Sequence, residues 1–466
     1  MYQIKFGTDG WREIIADNFT SANVRRVAFA TAQWLNLHNL PKLVVLGHDC
    51  RFGGEMFAKE TATVLAGQGI HVVMANGFVS TPMISLATYQ LNAGLGVIIT
   101  ASHNPPSYNG YKLKAHYGGP ATPNTVAEVE SMIPELEITL EMGFEVFVEN
   151  GLITFDDFEE RYLQHCKNSF DMSALEQISP QLAYDAMYGA GQRLVKRLLP
   201  KVSILHGIHN PGFDGRAPEP ILKNLPEISE MIAQNPEFTM GLATDGDADR
   251  IGFFDEHGQF VDSHHLILLL IEYLTTFKGY TGKVVKSFSV SDKVERLCEI
   301  KGLKSITTKI GFKYICEYMV TEDVLIGAEE SGGIAIKGHI PERDGVWMGL
   351  VLMEYVAKTG KTISQLIQDM YNQVGTFAVE RYDLHINNEL KQQIIENCKS
   401  GTYKNFGSYQ IESIEDIDGF KFRLTDGSWV MMRPSGTEPV LRVYSESHTS
   451  QEAFNILNAT KAAILN

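Results

Sequence analysis

The sequence predicts an α/β protein: three similarly built α/β domains with mixed sheets, followed by a smaller α+β domain. Three observations carry this. The chain has 466 residues, and at about 150 residues per domain that length asks for three domains or four. With 44 % hydrophobic and 21 % charged residues it has an ordinary globular composition, rich enough for several cores. One pattern of strand, Gly-rich turn, amphipathic helix and strand recurs three times, starting near residues 42, 181 and 283.

The first unit is KLVVLGHDCRFGGEMFAKETATVLAGQGIHVVMA, the second QLAYDAMYGAGQRLVKRLLPKVSILHG, the third GKVVKSFSVSDKVERLCEIKGLKSITTK. Strands that alternate with helices form α/β units with parallel strands, and three separate domains are preferred to one large doubly wound sheet. A charged, helix-like insert, TVAEVESMIPELEITLEMGFE, and the polar stretch NGLITFDDFEERYLQHC separate the first two units. The run HLILLLIEYL from His265 is too short to span a bilayer and reads as a core helix. From about Phe377 the pattern changes to short strands with flanking helices, NELKQQIIENCK and SQEAFNILNATKAAIL, and LTDGSW offers the Asp-Gly of a hairpin turn. The expected domains are 1–145, 155–255, 256–370 and 375–466.

The chain carries 56 acidic and 40 basic residues, a net charge of −16. Such a chain repels nucleic acid and anionic membranes in the mean, so an anionic substrate needs cations gathered locally in its site. The cysteines Cys50, Cys166, Cys298, Cys316 and Cys398 are scattered and form no CxxC pair. That pattern suggests reduced thiols in the cytoplasm rather than disulfides or a zinc site. The opening MYQIKFGTDGWRE holds no long apolar stretch and does not read as a signal peptide.

Four stretches carry chemistry. In ATDGDADRIGFFDEHGQ, Asp245, Asp247 and Asp249 alternate with small residues. Three carboxylates this close repel one another unless a cation sits among them, and hard oxygen ligands suit Mg²⁺ or Ca²⁺. Glu256 completes the length of a calcium loop, but Arg250 stands where that loop turns on glycine, and the following residues read as strand, turn, strand. In MMRPSGTEPVLRVYSES, Arg433 and Arg442 flank Ser435, Gly436 and Thr437, a set of small residues, hydroxyls and guanidinium forks that suits a phosphate. In IGAEESGGIAIKGHIPERDGV, Glu329 and Glu330 precede Ser331 and two glycines. Such carboxylates accept hydrogen bonds from neighbouring hydroxyls; an ordinary acidic turn explains them equally well. His339, Glu342 and Asp344 extend that polar run. In ITASHNPPSYNGYKLK, Ser102 follows an apolar run in a turn of Pro, Asn, Gly and Ser, and on its own fits a turn cap better than a nucleophile. Arg12, in FGTDGWRE, is a weaker signal.

Together TASHNP, DGDADR, GAEESGG and RPSGTEP resemble the four signature loops of the alpha-D-phosphohexomutase family, in that family's order, and FGTDGWR matches its opening. The resemblance implies four domains around one central cleft, each supplying one loop. Ser102 would be the phosphoserine, with His103 and Lys112 beside it and Lys112 a candidate general acid/base. Asp245, Asp247 and Asp249 would hold Mg²⁺ with a phosphate oxygen of Ser102, and Arg250, with Arg12, would serve the transferring group. Glu329 and Ser331 would hold sugar hydroxyls. Arg433, Ser435, Gly436, Thr437 and Arg442 would grip the other phosphate. The implied reaction interconverts hexose 1-phosphate and hexose 6-phosphate through a hexose 1,6-bisphosphate, in a monomer or homodimer without nucleic-acid or membrane partners.

One departure bears on specificity. Members that act on mannose or glucosamine phosphates often have Gly-His after the serine of the sugar loop, whereas this chain has Gly332 and Gly333. The double Glu and HIPERDG look more like the glucose-phosphate members, with mannose phosphate a second substrate and glucosamine or N-acetylglucosamine phosphate the alternative. The missing histidine leaves an acid/base role to His339 or to Lys313 in GFKYI. A rival of another class is a Mg²⁺-dependent sugar phosphatase, which needs no fourth-domain cradle.

Overall fold

The computed structural model describes residues 2–7, 9–434 and 440–465. The chain forms two compact units, Met1–Lys283 with Gly311–Leu366, and Val284–Ile310 with Ile367–Asn466.

In the first unit a seven-stranded sheet runs in the order Trp11–Ile14, Tyr108–Ala115, Leu95–Ile99, Leu43–His48, His71–Ala75, Ile153–Asp156, with Gly119–Pro120 beside Tyr108–Ala115. The inner strands are near-continuous apolar runs because helices cover a parallel sheet on both faces; every residue of Leu95–Ile99 is buried. The helix Ser21–Leu37 begins where Thr20 accepts from the Asn23 amide at 3.3 Å. Leu43–His48 is parallel to both neighbours, whereas Tyr108–Ala115 returns antiparallel to Leu95–Ile99. The sheet takes its edge strand Ile153–Asp156 from beyond residue 145, the expected end of the first domain. The stretch read as a polar separator is that edge strand and a helix, Phe158–Ser169. Of the helix-like insert before it, Pro123–Ser131 and Phe144–Glu149 are helical and the middle is irregular.

A second sheet follows, in the order Phe260–Val261, Ile251–Phe254, Met240–Thr244, Leu182–Asp185, Ser203–Leu205. Met240–Thr244 is parallel to Leu182–Asp185 and antiparallel to Ile251–Phe254. The helix Ser263–Thr276 is buried along most of its length, as a core helix must be. Among the described residues no helix is long and apolar enough to cross a membrane. Val324–Ala328 pairs antiparallel with Ile334–Ile336, and the helix Gly345–Thr359 follows, capped by Asp344.

In the second unit, Lys283–Ser287 and Ser305–Thr308 pair in parallel around the helix Lys293–Lys301. A six-stranded sheet runs in the order Ala378–His385, Val440–Ser447, Trp429–Pro434, Phe420–Leu424, Tyr409–Glu415, Asn405–Phe406. Its Phe406, Phe422 and Val443 share one core with Ile394, Ile456 and Leu457 of the helices Asn388–Lys399 and Ser450–Leu465. The expected Asp-Gly hairpin is a longer turn, in which Gly427 takes φ +84° and its amide donates to the Leu424 carbonyl at 3.0 Å.

Candidate active site

Ser102 lies just past the carboxyl end of Leu95–Ile99, where open α/β sheets place their ligands. Its φ is +52°, uncommon for a residue with a side chain, and such a conformation costs on the order of 1–3 kcal/mol and persists only where its surroundings impose it. Arg51 imposes it. From a fully buried position its guanidinium donates to the carbonyls of Ser102 (2.5 Å), Asn104 (2.6 Å), Pro105 (2.9 Å) and Tyr108 (3.1 Å). Asp49 balances that charge at 3.3 Å and accepts from the Thr100 hydroxyl at 2.5 Å; Thr100 Oγ1 in turn accepts from the Ser102 amide at 2.8 Å.

The turn between Met240–Thr244 and Ile251–Phe254 brings Asp245, Asp247 and Asp249 together, all buried, with one oxygen of each within 4.8 Å of the others. Gly246 is required there, since a Cβ would lie 2.5 Å from the Ser102 carbonyl oxygen. The Ser102 hydroxyl donates to Asp245 Oδ2 at 2.6 Å. Thr81 holds Asp247 twice, hydroxyl to Oδ2 at 2.5 Å and amide to the carbonyl at 2.9 Å. Asp247 Oδ1 and Asp249 Oδ1 are buried without a hydrogen-bond partner among the described residues. Burial and the charges of Asp247 and Asp249 push the Asp245 carboxyl well up. Buried hard oxygens with bare lone pairs fit a divalent cation such as Mg²⁺.

Cations face this triad. Lys112, on Tyr108–Ala115 opposite Ile98, has a fully buried side chain. Its Nζ lies 2.8 Å from Asp247, 3.2 Å from Asp249 and 3.0 Å from Asp9. Burial works against its charge, but these carboxylates outweigh burial and raise its pKa. Arg343 donates to Asp249 Oδ2 at 2.6 Å and Asp9 Oδ2 at 2.5 Å. Arg12 donates to Asn104 Oδ1 at 2.8 Å. The Arg250 amide donates to Asp245 Oδ1 at 3.1 Å, and its Nε is buried without a hydrogen-bond partner among the described residues. His103 Nδ1 lies 3.3 Å from Ser102 Oγ; burial, then Arg250 and Arg12, holds the imidazole well below its ordinary pKa and so neutral.

The turn after Val324–Ala328 carries Glu329 and Ser331 and docks on the aspartate turn, where the Ile251 amide donates to the Gly332 carbonyl at 3.2 Å. Gly332 has φ +83°, and a Cβ there would lie 2.5 Å from the Ile251 carbonyl oxygen. A Cβ at Gly333 would lie 2.6 Å from Arg343 Cδ, so the stem of Arg343 fills the space a side chain at 333 would use. Arg343 Nη1 is 3.9 Å from Glu329 Oε2. Burial pushes the Glu329 carboxyl up to about 7, against the pull of Arg343.

The two residues expected for the remaining acid/base role lie differently. The His339 imidazole is fully covered: Nε2 meets Asp344 at 2.9 Å, Nδ1 meets His165 at 3.1 Å, and the ring stacks on Trp347 with centroids 3.8 Å apart. Asp344 also caps Gly345–Thr359 and accepts from the Tyr162 hydroxyl, so His339 belongs to the packing of that helix start. Lys313, in the first turn of Phe312–Thr321, has its Nζ 5.4 Å from the Tyr314 ring centroid. Arg343, Asp9, Thr81 and Arg51 escaped sequence reasoning. Arg343 and Asp9 stand inside quoted motifs, between residues that drew the attention; Arg51 and Thr81 act on loops far away in sequence.

In the second unit, Arg433 and Arg442 face each other across paired strands. Arg433 Nε donates to Asp418 Oδ2 at 3.1 Å, and Asp418 also accepts from the Ile310 amide at 3.0 Å. Ser435, Gly436 and Thr437 lie outside the described residues.

Comparison with known proteins agrees with this geometry. Four family models match in order: phosphoglucomutase/phosphomannomutase alpha/beta/alpha domain I over residues 3–138, domain II over 160–258, domain III over 262–374, and the C-terminal domain over 387–462. A Thermococcus kodakarensis protein named phosphoglucomutase/phosphomannomutase is 31 % identical, the match covering 96 % of this chain and 95 % of that one. A Pyrococcus furiosus protein provisionally named phosphoglucosamine mutase is 30 % identical, with 98 % and 97 % covered. A crystal structure from Thermus thermophilus, solved under the provisional name phosphomannomutase, superposes with a TM-score of 0.88 at 33 % identity over the whole of both chains.

Proposed function

This chain belongs to the alpha-D-phosphohexomutase family and is a phosphohexomutase, and we propose that it interconverts glucose 1-phosphate and glucose 6-phosphate, with mannose phosphate as a second substrate. The observation that carries the mechanism is the Ser102 hydroxyl, bonded at 2.6 Å to a buried aspartate triad in which two oxygens have no hydrogen-bond partner among the described residues. Asp245, Asp247 and Asp249 would hold Mg²⁺, with a phosphate oxygen on Ser102 as a further ligand. Bound there, the metal supplies positive charge to the transferring phosphoryl group.

Phosphoryl transfer depends on positioning and on charge stabilisation. In the first half, O6 of the hexose 1-phosphate attacks phosphorus on Ser102; the P–O6 bond forms as the bond to Ser102 Oγ breaks. The hexose 1,6-bisphosphate turns over, and its O1 phosphoryl group returns to Ser102. Lys112 carries the proton in this exchange: surrounded by three carboxylates it rests protonated, gives a proton to Ser102 Oγ as the bond to phosphorus breaks, and as the free amine takes the proton that O6 releases. Arg343, in the space of the missing imidazole, contributes charge alone, because a guanidinium keeps its proton. Arg12 and Arg250 add charge, and Glu329 and Ser331 bind sugar hydroxyls. Arg433 and Arg442, with Ser435, Gly436 and Thr437, take the phosphate that stays; like charges opposed across strands repel, and a bound anion relieves that.

The test is a side-by-side assay with Mg²⁺ on glucose, mannose, glucosamine and N-acetylglucosamine 1-phosphates. The highest kcat/KM is expected on glucose 1-phosphate. A preference for glucosamine 1-phosphate would overturn the specificity, and release of inorganic phosphate without a 6-phosphate product would favour the phosphatase.

A further inference from the structure

Resting on that reading, we infer that Asp9 is a positioning residue: one carboxylate oxygen that holds Lys112 and Arg343 in place while the aspartate triad serves its cation. Asp9 lies in the turn before Trp11–Ile14, pressed against the strand that carries Lys112; a Cβ on Gly10 would lie 2.7 Å from the Tyr111 carbonyl oxygen. Three cations converge on Asp9 Oδ2: Arg343 at 2.5 Å, Lys112 at 3.0 Å and Arg12 at 3.7 Å.

The partners of these cations decide the matter. Lys112 also holds Asp247 and Asp249, and Arg343 also holds Asp249. A divalent cation on the Oδ1 atoms of Asp247 and Asp249 draws on the same two carboxylates that Lys112 and Arg343 hold through Oδ2, and repels both side chains. Asp9 stands outside the triad, so its charge remains available to both. Glu342 offers a contrast: its Oε2 accepts from Lys114 at 2.6 Å and Ser85 at 2.8 Å, neither of which hydrogen-bonds the triad among the described residues, while its Oε1 accepts from the Arg343 backbone amide at 3.1 Å and lies 3.9 Å from the Arg343 guanidinium.

The experiment compares wild type, Asp9→Asn and Asp9→Glu. It measures kcat and KM on glucose 1-phosphate, and Mg²⁺ affinity by calorimetry on metal-stripped protein. For Asp9→Asn, loss of charge-assisted bonds should lower kcat roughly ten- to a hundredfold. KM and Mg²⁺ affinity should stay within about threefold of wild type, and Asp9→Glu should recover part of kcat. A kcat within threefold of wild type overturns the inference, as does a parallel loss of Mg²⁺ affinity, which would make Asp9 part of the metal site. If Asp9→Asn does not fold, Asp9→Glu carries the comparison: its displaced oxygen should lower kcat with KM unchanged, and wild-type kcat overturns the inference. A thermal-stability cycle of Asp9→Asn, Arg343→Met and the double variant, without metal or substrate, separates this inference from the mutase reading. Coupling is expected, the double variant losing less than the sum of the singles. Additive losses overturn the pairing even in an active mutase, and coupling in a protein without mutase turnover supports the pairing while the functional reading fails.

Discussion

Ser102 and Glu329 each hold an unfavourable state that their neighbours impose. For Ser102 it is the left-handed backbone; for Glu329 it is a carboxyl that burial raises to about 7. The fold favours protonated Glu329, and the unfolded chain releases that proton near the ordinary value of about 4.3. Its stabilising contribution is therefore full below that value and is lost as pH rises through 7. Glu329→Gln imitates the protonated form. Relative to wild type, the variant should gain roughly 3 kcal/mol between pH 4 and 8, read from urea unfolding of metal-free protein. An equal difference at both pH values would contradict the burial argument. Glu329 itself was legible in the sequence, but its protonation was not, because that depends on enclosure by Arg343 and the aspartate turn.

At the scale of the element, three turns at the ends of buried strands make the site in the first unit, and side chains from elsewhere hold them. Their motifs were legible because phosphoryl chemistry demands particular residues at fixed spacing. Arg51 was not legible: GHDCRFGG shows an arginine near a glycine turn, and nothing local says that the loop from Ser102 to Tyr108 wraps around it. His339 misled because a polar run does not show which side faces the core. The edge strand Ile153–Asp156 was hidden because it is only four residues long, with Ile153 alone buried and Phe155 exposed. Arg51→Lys keeps the charge but loses the planar fork that reaches four carbonyls. It should cost about 2–4 kcal/mol of stability and slow phosphorylation of Ser102. An unchanged melting temperature would show that the loop holds its own shape.

For the whole molecule, a net charge of −16 is set against a local group of Lys112, Arg12, Arg250 and Arg343. The acidic chain does not attract an anionic substrate at large, so on the proposed function binding and turnover would depend on this group and on a cation held by the triad. Asp247→Asn should weaken Mg²⁺ binding and lower kcat much more than it raises KM, since the metal stabilises charge that grows during transfer. Full activity in chelator-treated wild type would contradict the metal assignment. The order of α/β units and the distinct C-terminal domain were legible from periodicity; the way the chain gathers into two compact units was not, because it depends on packing between segments distant in sequence.

The central claim is that Ser102 carries the phosphoryl group. The direct measurement is intact-protein and peptide mass spectrometry after incubation with glucose 1,6-bisphosphate and Mg²⁺, for wild type and Ser102→Ala. The account predicts one phosphate per chain on the peptide that contains Ser102, lost when excess glucose 6-phosphate is added, and none on the alanine variant, which keeps its fold and its metal binding. Wild type that turns over hexose phosphate without acquiring that phosphate, or an alanine variant that keeps most of its activity, would contradict it.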